Sequence, residues 1–506
     1  MLPILSAEQI RQADAYTMAH EPIASIDLME RAAAACARKM MESRAPDVPV
    51  VVMAGMGNNG GDGLALARII HDLGVESVQV LVPHYKPKGS PGFETNLARL
   101  REAKIAVTFV DEGTPLPAIP PSAIVVDALF GTGLARPIAG WLKELIGQLN
   151  ALPNEILAID LPSGLFANDN STNDPEAIVQ ADRTFTLELP KYALFMPGHA
   201  RFCGNWEVVP IGLDRAFIGS LKTDAAMIES ADVAKLLPPR GRVFHKGNFG
   251  HAWLLAGGPG KMGAALLASM AALRSGCGLL TAHVPVGQDA VLHAAVPEAM
   301  ASLDESACLS TLPKFNKATA IGAGPGMGTE AASARMLKLL IQNAPAPMVL
   351  DADALNILAE NKTWMAFLAP GTILTPHPKE FERLAGKAAS DGHRLRLAKE
   401  MAVRFKVVLV LKGAYTAVCA PDGRVYFNAT GNPGMAKGGS GDALTGIITS
   451  LRAQGLDSLS AALLGVHAHG IAGDLAAEAL GMDGMLPSDL IGKLPMAWKQ
   501  LRQLAK

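Results

Sequence analysis

Three absences bound what this chain of 506 residues can be. Its five cysteines, Cys36, Cys203, Cys277, Cys308 and Cys419, are scattered, odd in number and contain no CxxC pair. That argues against a disulfide framework or a zinc site and predicts buried thiols in a reducing compartment. No run approaches the roughly 20 uncharged apolar residues that a membrane span needs, because Gly, Pro or a charge interrupts each candidate. Nor is there a surplus of either charge. Lys plus Arg number 45 against 47 Asp plus Glu, so no strong field gathers nucleic acid or anionic lipid. The opening residues, Met1 to His20, have neither a basic leader nor a sustained apolar core. Ser6-Ala7-Glu8-Gln9 reads instead as a capping box that starts an amphipathic helix. These features predict a cytoplasmic protein with no nucleic-acid or membrane partner.

What is present is apolar and glycine-rich. Apolar residues make up 49% of the chain and glycines number 50, which favours buried sheets with small residues at helix contacts. The length calls for two or three domains. In the first half, strand-like runs (PVVVMAG at 49–55, then SVQVLVP, IAVTFV, AIVVDALFG and EILAIDLPSG) alternate with helix-like ones (LALARIIHDLG, closed by Gly74, and NLARLREA). Strands separated by helices of this length predict parallel βαβ units. Residues 182–212 read as neighbouring strands at the sheet edge. The pattern restarts after about residue 213, Pro238-Pro239 marks a joint, and a second α/β series runs from His245 to a long helical C-terminus. The expected fold class is α/β, with two modules of similar size in series.

The first module carries Gly55-Met56-Gly57-Asn58-Asn59-Gly60-Gly61-Asp62-Gly63 between a strand and a helix. Five glycines in nine residues are expected to adopt positive φ and to turn backbone N–H groups toward one point. With the positive end of the following helix they would hold an anion such as phosphate. The spacing is not the dinucleotide fingerprint, because Asn58, Asn59 and Asp62 occupy the loop. Asp127, before Gly131-Thr132-Gly133-Leu134, and Asp160, before Pro162-Ser163-Gly164, end two further strands. In an open parallel sheet they would converge on the glycine loop.

GMGNNGGDG, DALFGTGL and DLPSGL, followed by ADRTFTLELPK and GNWEVVPIGL, resemble the epimerase domain of the bifunctional NAD(P)H-hydrate repair enzymes. The resemblance implies a Rossmann-like three-layer domain over residues 1–215, acting on nicotinamide coenzyme hydrated at C6 of its ring. It implies that Asn58, Asn59, Gly60, Gly61 and Asp62, together with Gly131, Thr132, Gly133, Leu134, Ala135, Arg136 and Pro137, hold the substrate. It also implies that Asn59, Asp127 and Ser163 ligate a potassium ion through oxygen, and that Asp160 contacts the substrate as the candidate acid/base. The stretch FANDNSTND after DLPSGL fits the family's acidic-polar turn only loosely.

The second module carries Gly438-Gly439-Ser440-Gly441-Asp442 ahead of ALTGIITSL. A glycine turn at a helix start can stabilise a transferring phosphoryl group, and an aspartate there can accept the proton of an attacking hydroxyl. Lys412-Gly413-Ala414-Tyr415-Thr416 ends the strand VVLVL and brings a cation and a hydroxyl. Asp351-Ala352-Asp353 could reach Mg²⁺ through water. His377, between Pro376 and Pro378 with Glu380 nearby, sits at another strand end. These segments, with HKGNFGHAWLLAGGPGKMGAALL, GPGMG, LTPHPKEFERL and GNPGMAKGGSGDALTGII, resemble the ribokinase-like fold and the dehydratase domain of the same repair enzymes, over residues 225–506. The resemblance implies that Ala264, Gly326, His377 and Asp442 touch the hydrate, with Asp442 catalytic. Lys412, Gly413, Ala414, Tyr415, Thr416 and Gly441 would bind ADP or ATP, with Mg²⁺, and a homo-oligomer would form through this domain. ADP is the donor that such fused members favour. A vitamin or sugar kinase shares GSGD but leaves the GNNGGDG domain unexplained. A non-catalytic scaffold would not need Asp160, Asn59 and Asp127 together. His467 and His469, two apart on a helix, read as structural, and Met262, Met270 and Met401 as packing.

Overall fold

β-Branched runs bounded by glycine form the strands of two sheets, one in each of the units Leu2–Thr223 and Asp224–Lys506. The structure is a computed structural model and describes residues 1–42 and 47–505. The sheet of the N-terminal unit is parallel throughout. Its strands lie in the order Ala106–Val110, Val78–Pro83, Val50–Ala54, Ile124–Ala128, Ile156–Ile159, Arg183–Leu187 and Asn205–Val209. The chain leaves Val50–Ala54 in one direction and returns to its other side at Ile124–Ala128. The crevice where a ligand is expected therefore opens beyond Ala54 and Ala128.

Alternate residues of Val50–Ala54 face opposite layers. Val50, Val52 and Ala54 pack with Leu64, Ala67 and Ile70 of the helix Asn58–Asp72, whereas Val51 and Met53 pack with Leu145, Ile146 and Leu149 of the helix Trp141–Asn150. Burial on both faces explains why these strands read as continuous apolar runs. Residues 182–212 do form two neighbouring strands at the edge, and they pair in parallel.

In the C-terminal unit the strand order is Ala225–Met227, Val425–Phe427, Ala417–Cys419, Val408–Leu411, Ile373–Leu374, Met348–Leu350, Ala320–Ala323, His251–Leu255, Leu279–Val284 and Met300–Leu303. Only the pairings of Ala417–Cys419 are antiparallel. Trp253 and Leu255 pack toward Met336, Leu337 and Leu340, and Ala252 and Leu254 toward Ala265, Ala268 and Ala272. Small residues let the helices Met262–Arg274 and Ser440–Ala453 touch. A Cβ on Gly446 would lie 2.1 Å from the carbonyl oxygen of Ala268.

Two expectations need correction. Pro238-Pro239 lies inside the second unit, because Ala225–Met227 already pairs with Val425–Phe427. None of the five glycines from Gly55 to Gly63 has positive φ. They serve close approach instead. A Cβ on Gly60 would stand 1.5 Å from the Gly55 carbonyl oxygen, and one on Gly55 1.9 Å from that of Leu129. Steric exclusion, not a left-handed turn, requires glycine here. The capping box at Ser6 and Gln9 forms as read, and all five cysteines are free, four of them buried.

Gly60→Ala should therefore destabilise the N-terminal unit by about 3 kcal/mol, the upper end of overpacking costs. Gly57→Ala, whose Cβ would meet nothing within 4 Å, should change stability by less than about 1 kcal/mol. Urea unfolding compares the two, and equal effects would refute the close-approach reading.

Candidate functional sites

The helix Asn58–Asp72 starts directly after Gly57, so most of the glycine motif is its first turns and not a free loop. Its N-terminal amides lie beside the ends of two other strands. A Cβ on Gly131 would contact both Asp160 Oδ2, at 2.8 Å, and Asn59 Oδ1, at 3.2 Å. Asn59, Gly131 and Asp160 thus converge as the sequence suggested.

Asp160 occupies the left-handed region, φ +72°, a conformation that costs energy for any residue except glycine and concentrates at functional sites. Its Oδ2 accepts from the Thr132 amide at 2.9 Å, and its Oδ1 lies 2.6 Å from Lys191 Nζ. Lys191 is 1% exposed and also donates to the Leu187 carbonyl. Burial pushes the Asp160 carboxyl up, but the Lys191 charge and the Thr132 bonds outweigh it and hold it below the ordinary carboxylate range.

The other carboxyls around it go the opposite way. Burial, then repulsion from Asp160 and Asp14, pushes Asp62 well above the usual range, and Asp14 rises to about 6 for similar reasons. Asp127 is fully buried. Its oxygens accept from the Ser163 hydroxyl at 2.6 Å, the Ser163 amide at 2.7 Å and the Leu129 amide at 3.2 Å. All three donors are neutral, and burial lifts Asp127 to about 6. Among the described residues Asp127 has no cationic partner, and Asn59 Nδ2 is buried with none at all. The segment Phe166–Asn173 closes on itself, with Asn170 bonded to Phe166 and Asn173 donating to the Gly164 carbonyl beside Ser163. Gly133, Ala135, Arg136 and Pro137 are exposed along the rim, with Leu134 half-buried.

In the C-terminal unit the parallel strands bring their ends to one edge. Gly257 follows His251–Leu255, Gly324 to Gly328 follow Ala320–Ala323, Asp351 follows Met348–Leu350, His377 follows Ile373–Leu374, and Lys412 follows Val408–Leu411. The helix Ser440–Ala453 starts beside them. A Cβ on Gly441 would lie 3.2 Å from Lys412 Nζ, and one on Gly326 3.2 Å from the Ala264 Cβ. Lys412 pairs with Asp351 at 2.8 Å, and Asp351 accepts from Thr445 at 2.7 Å. Asp353 is held by Lys261 at 3.3 Å and by the Gly328 amide at 2.9 Å. Between them Ala352 is left-handed, φ +48°, as Asp160 is in the other unit.

His377 caps the helix Pro378–Ala385. Its Nδ1 accepts from the Lys379 and Glu380 amides, while Glu380 accepts from the His377 amide at 2.8 Å. The ring remains half-exposed, and burial lowers its pKa. Asp442 is half-buried in the first turn after Gly439. Burial, then Asp351, raises its carboxyl to about 6 against the opposing pull of Lys412. In the loop after Lys412, Thr416 bonds Gly413, and Gly413 and Ala414 are exposed. His467 is structural, bonded to Ser230 and Asn428, whereas the buried Nε2 of His469 has no partner.

One residue at the N-terminal site escaped the sequence reading: Lys191, the buried partner of Asp160. A lone lysine inside LELPKYALFM is a signal for a buried, paired cation, since an unpaired one would not be tolerated there.

Residues 252–496 match the family described as NAD(P)H-hydrate dehydratase, and residues 25–193 that described as YjeF-related protein N-terminus. A bifunctional NAD(P)H-hydrate repair enzyme of Moorella thermoacetica is 34% identical over 531 residues, covering 99% of this chain and 97% of that one. The chain belongs to the bifunctional NAD(P)H-hydrate repair enzymes. The Escherichia coli repair enzyme is 35% identical over 92% of this chain and 88% of its own. Among solved structures, the ADP/ATP-dependent NAD(P)H-hydrate dehydratase of Bacillus subtilis, co-crystallized with ATP/Mg²⁺, is 33% identical. It covers 54% of this chain and 98% of its own, with a TM-score of 0.49.

Removing the Lys191 cation strands Asp160 in the interior. Lys191→Met should cost about 3–5 kcal/mol of stability to unfolding, and the Asp160→Asn, Lys191→Met double variant should recover most of it. A single variant as stable as the wild type in urea would mean that the pair is not held in solution.

Proposed function

We propose that the N-terminal unit interconverts the R and S forms of NAD(P)H hydrate, and that the C-terminal unit dehydrates the S form with ADP, or ATP, as phosphoryl donor. The observation that carries the first half is a pair of carboxyls driven apart by their surroundings, Asp160 held below the ordinary range against Lys191 and Asp62 pushed above it by burial and by the charges of Asp160 and Asp14. Such a pair divides acid from base.

The ring nitrogen of the hydrate can expel the C6 hydroxyl as water once that oxygen is protonated. Asp62 supplies the proton. The Asp160 carboxylate stabilises the planar cation and takes the proton of the water that adds to either face. Asn58 to Asp62 and Gly131 to Pro137 hold the substrate, its phosphates against the helix start. Asn59, Asp127 and Ser163 suit K⁺: they are oxygen donors, and Asp127 is a buried carboxylate that only neutral groups bind. When bound, the ion supplies the positive charge that Asp127 lacks.

In the C-terminal unit Asp442 takes the proton of the C6 hydroxyl as the donor's terminal phosphoryl group moves to that oxygen. Phosphate is then a good leaving group. Its departure with the C5 proton restores the C5–C6 double bond and regenerates NAD(P)H. Ala264, Gly326 and His377 hold the hydrate, while Lys412 to Thr416 and Gly441 hold the nucleotide. The oxygens of Asp351 and Asp353 already have partners, so Mg²⁺ would arrive on the nucleotide phosphates and reach these carboxylates through water. We also assign a reducing, cytoplasmic setting, which the free thiols favour, and homo-oligomerisation through this unit. No helix among the described residues is long and apolar enough to cross a membrane.

Return of the near-ultraviolet absorbance of the dihydronicotinamide ring, from a mixed R and S hydrate with nucleotide and Mg²⁺, tests the whole scheme. Wild type should recover both forms. Asp160→Asn and Asp62→Asn should each recover the S form at the wild-type rate and slow the R form by about 10²–10⁴-fold. No recovery with either nucleotide would sink the repair reading. For dehydration, activity should rise with pH through about 6 as Asp442 ionises. Lys412→Met removes the charge that holds Asp442 down, so the rising limb in kcat should move to higher pH, and an unmoved limb would refute the coupling.

A further inference from the structure

A second charged concavity lies at the far end of the helix Ser440–Ala453, about 18 Å along its axis from Asp442 at 1.5 Å per residue. It is a cavity of about 220 Å³, walled by Arg240, Arg274, Arg502, Trp498, Ser275 and Gln454. No acidic residue lines it, and among the described residues none of the three arginines has a carboxylate partner. Arg240 Nη2 donates to the Gly276 carbonyl at 2.9 Å and to Gln454 Oε1 at 3.2 Å, and Arg502 Nη2 to the Pro238 carbonyl at 2.8 Å. The Arg274 side chain makes no hydrogen bond within the described chain. Ser275 is 6% exposed, and its hydroxyl has no partner.

Arginines commonly gather at helix C-termini to offset the helix dipole, and three helices end here, at the caps Ser275, Gln454 and Ala505. That role is too small to account for three arginines. Each C-terminus carries about −0.5 charge, so three supply about −1.5 against +3. Neutral donors also cap these ends already. Trp498 Nε1 donates to the Arg274 carbonyl at 3.1 Å, and Gln454 Nε2 to the carbonyls of Ser275 at 2.9 Å and Ser450 at 3.1 Å. About one and a half positive charges and most of the guanidinium donors are left over, close to the charge of a phosphate near neutral pH. Burial, then the charge of Arg502, holds the Arg240 guanidinium below its ordinary range, as expected of cations gathered without a counterion.

We propose that this cavity is a binding site for a phosphate dianion, free or as the end of a phosphomonoester, separate from the dehydratase site. Its volume lies below the roughly 300–1,000 Å³ of sites for drug-sized ligands, so it takes a phosphoryl head and not a whole coenzyme. Bidentate contacts from Arg274 and Arg502 hold the oxygens, with Ser275 donating from the wall. The Trp498 ring offers a face to whatever the phosphate carries.

Calorimetric titration of the full chain with inorganic phosphate tests this at low ionic strength, the nucleotide site being filled beforehand with a non-hydrolysable ADP analogue. One site per chain is expected in the wild type. Arg274→Gln removes a side chain with no structural bond and should weaken binding about tenfold, and Arg274→Glu should abolish it. Titration with AMP separates the sources: tighter binding than phosphate, lost in Trp498→Ala, assigns a phosphomonoester, and equal binding assigns free phosphate. Equal heats in wild type and Arg274→Glu, or no phosphate binding, would overturn the proposal. Activity is not the readout, so failure of the repair scheme would leave this result standing.

Discussion

A carboxylate taken out of water must be paired, hydrogen-bonded or protonated, and this constraint organises both sites. The fold gathers acidic residues at strand ends because every parallel strand delivers its C-terminus to one edge. Asp160 is compensated by Lys191, Asp351 by Lys412 and Thr445, and Asp353 by Lys261 and a backbone amide. Once those cations are committed, Asp62 and Asp442 are left with burial and like charges and Asp127 with burial against neutral donors, and all three rise. The paired groups fix the geometry, while the raised ones hold a proton more readily than a free carboxyl does. Stability and reactivity are two sides of one distribution of charge.

Backbone strain marks the same places. Asp160 and Ala352 are left-handed non-glycine residues at the two strand edges, each beside a lysine–aspartate pair, and Glu188 after Arg183–Leu187 is a third. A residue is kept in so unfavourable a conformation only where its surroundings over-determine it; at Asp160 and Ala352 the adjacent ion pairs do so.

Much of this was legible in the sequence. The alternation of strands and helices gave parallel sheets, and the glycine motifs fell at strand-to-helix junctions because helix starts and close backbone contacts both demand small residues. The same composition misled about mechanism. Glycine signals either positive φ or the absence of a Cβ, and sequence alone does not separate them. At Gly55 and Gly60 the second applies, since a neighbouring carbonyl occupies the space. Lys191 was hidden by distance along the chain, its partner lying at the end of another strand. Pro238-Pro239 was a local turn signal overruled by the pairing of a short upstream strand.

Each constellation draws its groups from one unit alone: Asp62, Asp160 and Lys191 from Leu2–Thr223, and Asp351, Lys412 and Asp442 from Asp224 onward. Joining the two in one polypeptide fixes their ratio at one to one.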